Sequence, residues 1–259
     1  FGGHLRTVLG ERQALLALNQ PGGNELHRAA LAANELSRAY AAVTASLLRT
    51  TNQQPSAITA LGAHGQTVRH RPGEFDGIGY TLQLINGALL AELTGIDVVC
   101  DLRSRDVAAQ GQGAPLVPAF HAAVFAQPGH ALAVLNLGGI GNVTLLGAGG
   151  NVSGFDCGPG NALLDHWCET HTGHAFDEAG HWSAQGRVDG ALLARMQREP
   201  FFHRAPPKST GRDLFHPAWL QAMLDDGVQR AAVDVQATLA QLTADADRKS
   251  TRLNSSHRM

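Results

Sequence analysis

The chain has 259 residues, enough for one large domain or two modest ones. Its 20 Lys and Arg against 22 Asp and Glu leave a formal net charge of −2, so no global field draws it to nucleic acid or to an anionic membrane. No apolar run is long enough to span a bilayer, and the opening Phe1-Gly2-Gly3-His4-Leu5-Arg6 does not read as a signal peptide. The three cysteines, Cys100, Cys157 and Cys168, form no CxxC pair, which suits a reducing, cytoplasmic setting.

Residues 1–24 hold short apolar runs around Gly10 and end in the turn Pro21-Gly22-Gly23-Asn24. Residues 25–49 are rich in Ala and Leu, and Leu36, Tyr40, Val43 and Leu47 recur at helical spacing, which predicts a core-packing helix. Residues 58–63 predict a buried strand that delivers His64-Gly65-Gln66-Thr67 at its C-terminal end, where ligands gather in open α/β sheets. His64 fits either a structural or a site role, and Gly65 clears space beside it. Residues 80–84 predict a strand, and residues 86–94 a helix closed by Gly95 as its C-cap. Residues 97–100 predict a further strand, ending in Asp101-Leu102-Arg103-Ser104-Arg105-Asp106. Those charges fit a solvated loop or a cluster for a sugar or carboxylate, since arginine meets carboxylates in a bidentate fork. The connector Gly111-Gln112-Gly113-Ala114-Pro115-Leu116-Val117-Pro118 leads to a helix over 119–125 and the turn Gln127-Pro128-Gly129. A domain boundary is expected there, giving domains over 1–128 and 129–246.

The densest pattern follows. Leu132-Ala133-Val134-Leu135-Asn136-Leu137 and Ile140-Gly141-Asn142-Val143-Thr144-Leu145-Leu146 flank Gly138-Gly139 and predict a β-hairpin. Such a turn is a plain reversal or a place where backbone N–H groups meet an anion. It spells neither a P-loop nor the dinucleotide fingerprint. Gly154-Phe155-Asp156-Cys157 then brings a carboxylate to a strand end, and Gly158-Pro159-Gly160 breaks the strand before a helix starting near Asn161. That helix carries Leu163, Leu164 and Trp167 on one face. His166, Cys168, His171 and His174 lie close together but fit no zinc spacing, so no protein metal site is predicted. Residues 188–198 are amphipathic, and residues 219–224 and 233–243 predict helices. Lys208-Ser209-Thr210 imitates the tail of a P-loop without its leading glycines. Residues 247–259 are polar and lack periodicity, and read as a disordered basic tail or a non-native one resembling a translated sequencing adapter. They are expected to contribute nothing to the fold.

His64-Gly65-Gln66-Thr67, Thr81-Leu82-Gln83, Asp101 to Asp106, Gly111 to Leu116, Leu135 to Ile140, Phe155 to Asn161 and Pro207-Lys208-Ser209-Thr210-Gly211-Arg212 occur in this order. The set resembles the anhydro-N-acetylmuramic acid kinase family from about residue 58 to residue 243. The resemblance implies an α/β fold of the actin/hexokinase/Hsp70 (ribonuclease H-like) class, with two domains around an interdomain cleft, each on a mixed five-stranded sheet. It implies an ATP- and Mg²⁺-dependent kinase that opens 1,6-anhydro-N-acetylmuramic acid with water, makes N-acetylmuramic acid 6-phosphate in cell-wall recycling, and admits a homodimer. Residue by residue, it implies Asp156 as general base, His64, Arg103, Asp106 and Asn161 at the sugar, and Gly138, Gly139, Asn142 and Gly158 at the nucleotide. The family's Met-Ser-Gly-Thr-Ser-x-Asp-Gly phosphate loop, later Gly-Gly-Gly segment and acidic C-terminal region are absent. The chain is therefore expected to be incomplete at both ends and inactive by itself. Leu102 stands for Phe, Gln110 for Gly, Ile85-Asn86 for Gly-Asp and Cys157 for Thr. A sugar or nucleotide sensor and a plain sugar kinase on the same fold are the rival readings, because fold does not fix function.

Overall fold

The structure, a computed structural model, describes residues 25–211 and 213–252. The expectations for residues 1–24, for Arg212 and for residues 253–259 fall outside the described residues. The fold is mixed α/β, in two compact units that divide at Gly113/Ala114.

In the first unit, α1 (Glu25–Thr51) precedes β1 (Leu61–Ala63), β2 (Gln66–Pro72), β3 (Gly79–Leu84), α2 (Gly87–Thr94), β4 (Val98–Cys100) and α3 (Ser104–Ala108). β1 and β4 pair in parallel, Leu61 opposite Val98 and Ala63 opposite Cys100. β2 and β3 form a separate antiparallel hairpin. β2 was not expected as a strand, because Gln66-Thr67-Val68-Arg69-His70-Arg71-Pro72 shows no apolar alternation; backbone pairing to β3 makes it one. The expected strand over 58–63 shortens to three residues. α1 buries less than its pattern suggests: Leu36 is buried, Tyr40 and Val43 are half-buried, and Leu47 is exposed. Its tie to α2 is polar. Asn86 Oδ1 accepts from Leu89 N–H at 3.0 Å as the N-cap of α2, and its Nδ2 donates to Asn34 Oδ1 at 2.7 Å. Ser37 Oγ, fully buried, accepts from Asn86 N–H at 3.0 Å. Both the oxygen and the nitrogen of the Asn86 amide are thus hydrogen-bonded, and Gly95 closes α2 in the left-handed region as its C-cap.

In the second unit, α4 (Pro118–Phe125) leads to β5 (Leu132–Leu137), β6 (Ile140–Leu146) and β7 (Val152–Pro159). Then come α5 (Asn161–Thr172), α6 (Gly190–Met196), α7 (Pro217–Leu224) and α8 (Ala232–Arg252). The three strands form one antiparallel sheet in the order β5-β6-β7. The compact unit begins at Ala114, and α4 packs on this sheet, where His121 Nδ1 lies 2.8 Å from the buried Thr144 Oγ1. The main core gathers Leu163 of α5, Leu192 and Met196 of α6, Phe215, Trp219 of α7, and Leu239 of α8. Phe215 meets Trp219 edge-on with ring centroids 5.2 Å apart, a favoured aromatic geometry. Asp189 caps α6 by accepting from Ala191 N–H at 2.8 Å and Leu192 N–H at 3.0 Å, and Arg230 Nε donates to its other oxygen at 2.6 Å.

The polar segment from 247 does not all leave the fold. α8 runs on to Arg252, and the buried stripe Val235, Leu239, Leu242, Ala246 continues to Ser250 at helical spacing. Asp247 is buried as well, beside β6 and β7. A helix already nucleated propagates cheaply, so a polar sequence is carried along by the amphipathic turns before it. Among the described residues the sheets hold two, two and three strands. No described helix is long and apolar enough to cross a membrane.

Candidate active-site residues in each unit

In the first unit, parallel pairing decides what converges. Ala63 opposite Cys100 places the next residues, His64 and Asp101, side by side at the C-terminal ends of β1 and β4. Asp101 turns the chain at φ 54°, and its carboxylate accepts from Ser104 Oγ at 2.5 Å. The turn sends Arg103 back across His64. Arg103 donates to His64 Nε2 from Nε at 3.1 Å and from Nη2 at 2.7 Å. His64 Nδ1 lies 2.8 Å from Gly65 O, so the bonding pattern assigns the tautomer with hydrogen on Nδ1. Arg103 Nη1 also donates to Gly113 O at 2.5 Å, while Gly113 N–H donates to Asp106 Oδ2 at 2.7 Å. Arg103 and Asp106 thus hold the C=O and the N–H of one residue, Gly113, and with His64 form one cluster in which His64 and Asp106 are exposed. Such a cluster can meet an anionic or hydroxyl-rich ligand.

In the second unit, Asp156 is 4% exposed on β7. Burying a carboxylate without partners is costly, so its contacts matter. Its Oδ2 accepts from Thr210 N–H at 2.9 Å, and its own N–H donates to Lys208 O at 3.0 Å. The 208–210 segment is held in turn by Lys208, itself buried, whose Nζ donates to Phe201 O at 3.1 Å and sits 4.5 Å from the Phe201 ring centre. Sequence reasoning noticed Lys208-Ser209-Thr210 and gave it no role; no local signal ties it to a carboxylate so far away in the chain. The N-cap of α5 is Gly160, which has no side chain to cap with. The first N–H groups of α5 are taken by the hairpin turn instead. Asn161 N–H donates to Gly138 O at 2.7 Å, and Gly160 and Ala162 N–H donate to Gly139 O at 3.0 and 3.2 Å. Asn161 Nδ2 donates to Leu137 O at 3.1 Å. The approach is close enough that a Cβ on Gly160 would lie 2.2 Å from Gly138 O.

Gly158 is buried, and a Cβ there would lie 2.7 Å from the Phe202 ring, so packing leaves no room for a side chain. Asn142 stands directly opposite Asp156 on one side and Asn136 on the other, giving a polar row across the three strands. Cys157 faces the small core of Val143, Leu145 and Phe155. Burial pushes its thiol up to about 12; a Ser250 hydrogen bond opposes this, and the charges of Asp247 and Asp156 add to it. This cysteine is a packing residue rather than a nucleophile. On α5, Cys168 is buried and His171 lies against Trp167 with ring centres 4.0 Å apart. Among the described residues, no three His, Cys, Asp or Glu side chains converge to hold a metal ion.

A carboxylate fixed beside a glycine turn, and an Arg-His-Asp cluster at parallel strand ends, are parts suited to acid–base and anion-binding chemistry. Comparison with known proteins identifies the family. The family model for anhydro-N-acetylmuramic acid kinase matches residues 8–256. The chain is 63% identical over 238 residues to a protein named anhydro-N-acetylmuramic acid kinase from Variovorax paradoxus, covering 90% of this chain and 64% of that relative. It is 59% identical over 240 residues to one of the same name from Cupriavidus metallidurans, covering 91% of this chain and 63% of that relative. A third, from Ralstonia nicotianae, is 56% identical over 240 residues, with 90% and 63% covered. The chain thus spans less than two thirds of the length of these curated relatives. With the match running through almost the whole sequence, the chain belongs to the anhydro-N-acetylmuramic acid kinase family.

Proposed function

We propose that this protein acts as an ATP-dependent kinase on 1,6-anhydro-N-acetylmuramic acid, giving N-acetylmuramic acid 6-phosphate. The observation that carries the reading is Asp156: buried on β7 and oriented by Thr210 N–H. Opening a 1,6-anhydro ring requires water to attack C1 while O6 departs. A glycosidase supplies a second carboxyl group to protonate the leaving oxygen. Here the γ-phosphoryl group of ATP captures O6, so one carboxylate suffices, and it takes the proton of the attacking water. Gly138 and Gly139 are assigned to the phosphates, and His64, Arg103, Asp106 and Asn161 to the sugar and its lactyl carboxylate. When bound, Mg²⁺ supplies charge neutralisation on the transferring phosphoryl group. The same reading extends to an actin/hexokinase/Hsp70-class fold with two α/β domains, to a cytoplasmic location and to a homodimer.

The test is turnover in ¹⁸O-labelled water by a protein of the relatives' full length that carries these residues. One ¹⁸O at C1 of a 6-phosphorylated product is expected. Phosphorylation without label at C1 would make it a plain sugar kinase, and sugar binding without turnover would make it a sensor.

A further inference from the structure

β7 carries one residue more than β6 between two neighbouring pairs. Gly141 faces Gly158 and Asn142 faces Asp156, which leaves Cys157 as the extra residue of a bulge. Without the bulge, Asn142 would face Cys157 and Asp156 would face Val143, on the apolar side. The bulge thereby sets Asn142 opposite Asp156. Side chains opposed across neighbouring strands on one face are neighbours, near enough to share a water. The Asn142 Oδ1 atom is buried and has no hydrogen-bond partner among the described residues. A native protein seldom keeps such an acceptor unsatisfied without a use for it.

We propose that Asn142 orients the nucleophilic water, with its Oδ1 accepting one O–H while Asp156 takes the other proton. The proposal rests on the kinase reading above and moves Asn142 from the nucleotide to the water. A water molecule that attacks through a lone pair has two hydrogens to place. The carboxylate of Asp156 accepts one as the water oxygen bonds to C1, the C1–O6 bond breaks, and O6 takes the γ-phosphoryl group as ADP leaves. The second hydrogen needs an acceptor that does not compete as a base, and a neutral amide is one. A second carboxylate in that place would raise the pKa of Asp156 by like-charge repulsion.

Methanol separates this role from a structural one, because it has a single hydroxyl hydrogen, which Asp156 takes. In water–methanol mixtures, a full-length protein carrying Asn142→Leu, similar in size but without an acceptor, is expected to lose about tenfold or more in kcat for hydrolysis. KM for ATP and sugar should stay near wild type, and the ratio of methyl glycoside to free sugar product should rise several-fold. An unchanged product ratio, or a raised KM for ATP with kcat intact, overturns the proposal. If the leucine variant does not fold, Asn142→Asp keeps the acceptor and adds a carboxylate; the acid limb of its kcat profile should move to higher pH, and an unmoved limb counts against the proposal. A wild-type protein that places no ¹⁸O at C1 refutes the kinase reading itself, whereas normal labelling with an unchanged methanol ratio refutes only the role of Asn142.

Discussion

The two units hold their candidate residues in opposite ways. In the first, Arg103 holds His64, and Arg103 and Asp106 both bond Gly113, at the C-terminal ends of β1 and β4. In the second, Asp156 is buried and gripped by the main chain of a distant segment. An exposed cluster can adapt to a ligand and costs the fold little to change. A buried carboxylate is a commitment of the surrounding core, since every partner must be in place before it can stay charged.

The largest effect should come from the core behind Asp156. Phe215 is 1% exposed and touches Phe201, Phe202 and Trp219. Phe215→Ala is expected to destabilise by about 3–5 kcal/mol in urea unfolding, and a loss below 1 kcal/mol would end the idea that this core fixes the site. Next, Asp156→Asn in a full-length protein should fold, since an amide oxygen still accepts from Thr210 N–H, yet lose at least about a hundredfold in kcat. Near-wild-type turnover would remove Asp156 from the mechanism and leave the two units without the contrast drawn here.

A smaller, pH-dependent effect is expected at Asp189. The Leu192 N–H and Arg230 hold its carboxyl below the usual carboxylate range. A depressed folded pKa gives stability that is present above the unfolded value and lost as pH falls through the folded one. Asp189→Ala should cost about 1 kcal/mol at pH 7 through the lost cap, and the gap to wild type should narrow as pH drops below about 4. A gap independent of pH would show that the charge does not matter. The smallest effect on stability is expected in the exposed cluster. His64→Ala should change unfolding free energy by less than about 0.5 kcal/mol while raising KM for the sugar. A large loss of stability would make His64 a structural residue and remove the difference between the units.

Much of the fold was legible. Asn86 and Gly95 mark the ends of α2 as their chemistry predicts, Asn161 begins α5, and Gly138-Gly139 turns the hairpin. The candidate residues were visible too, though as separate loops. β2, the contact of 208–210 with Asp156, the bulge at Cys157 and the run of α8 past residue 246 were not visible. The close approach of Phe202 to Gly158 was not visible either.

Sequence alone determined the helix caps, the turns and the apolar periodicity, because each rests on groups within a few residues of one another. Tertiary structure decided which polar groups meet. Parallel pairing of β1 with β4 brought His64 to Arg103, and one extra residue in β7 turned Asp156 toward Asn142. Register between strands depends on burying whole faces at once, and no local stretch of residues encodes that sum.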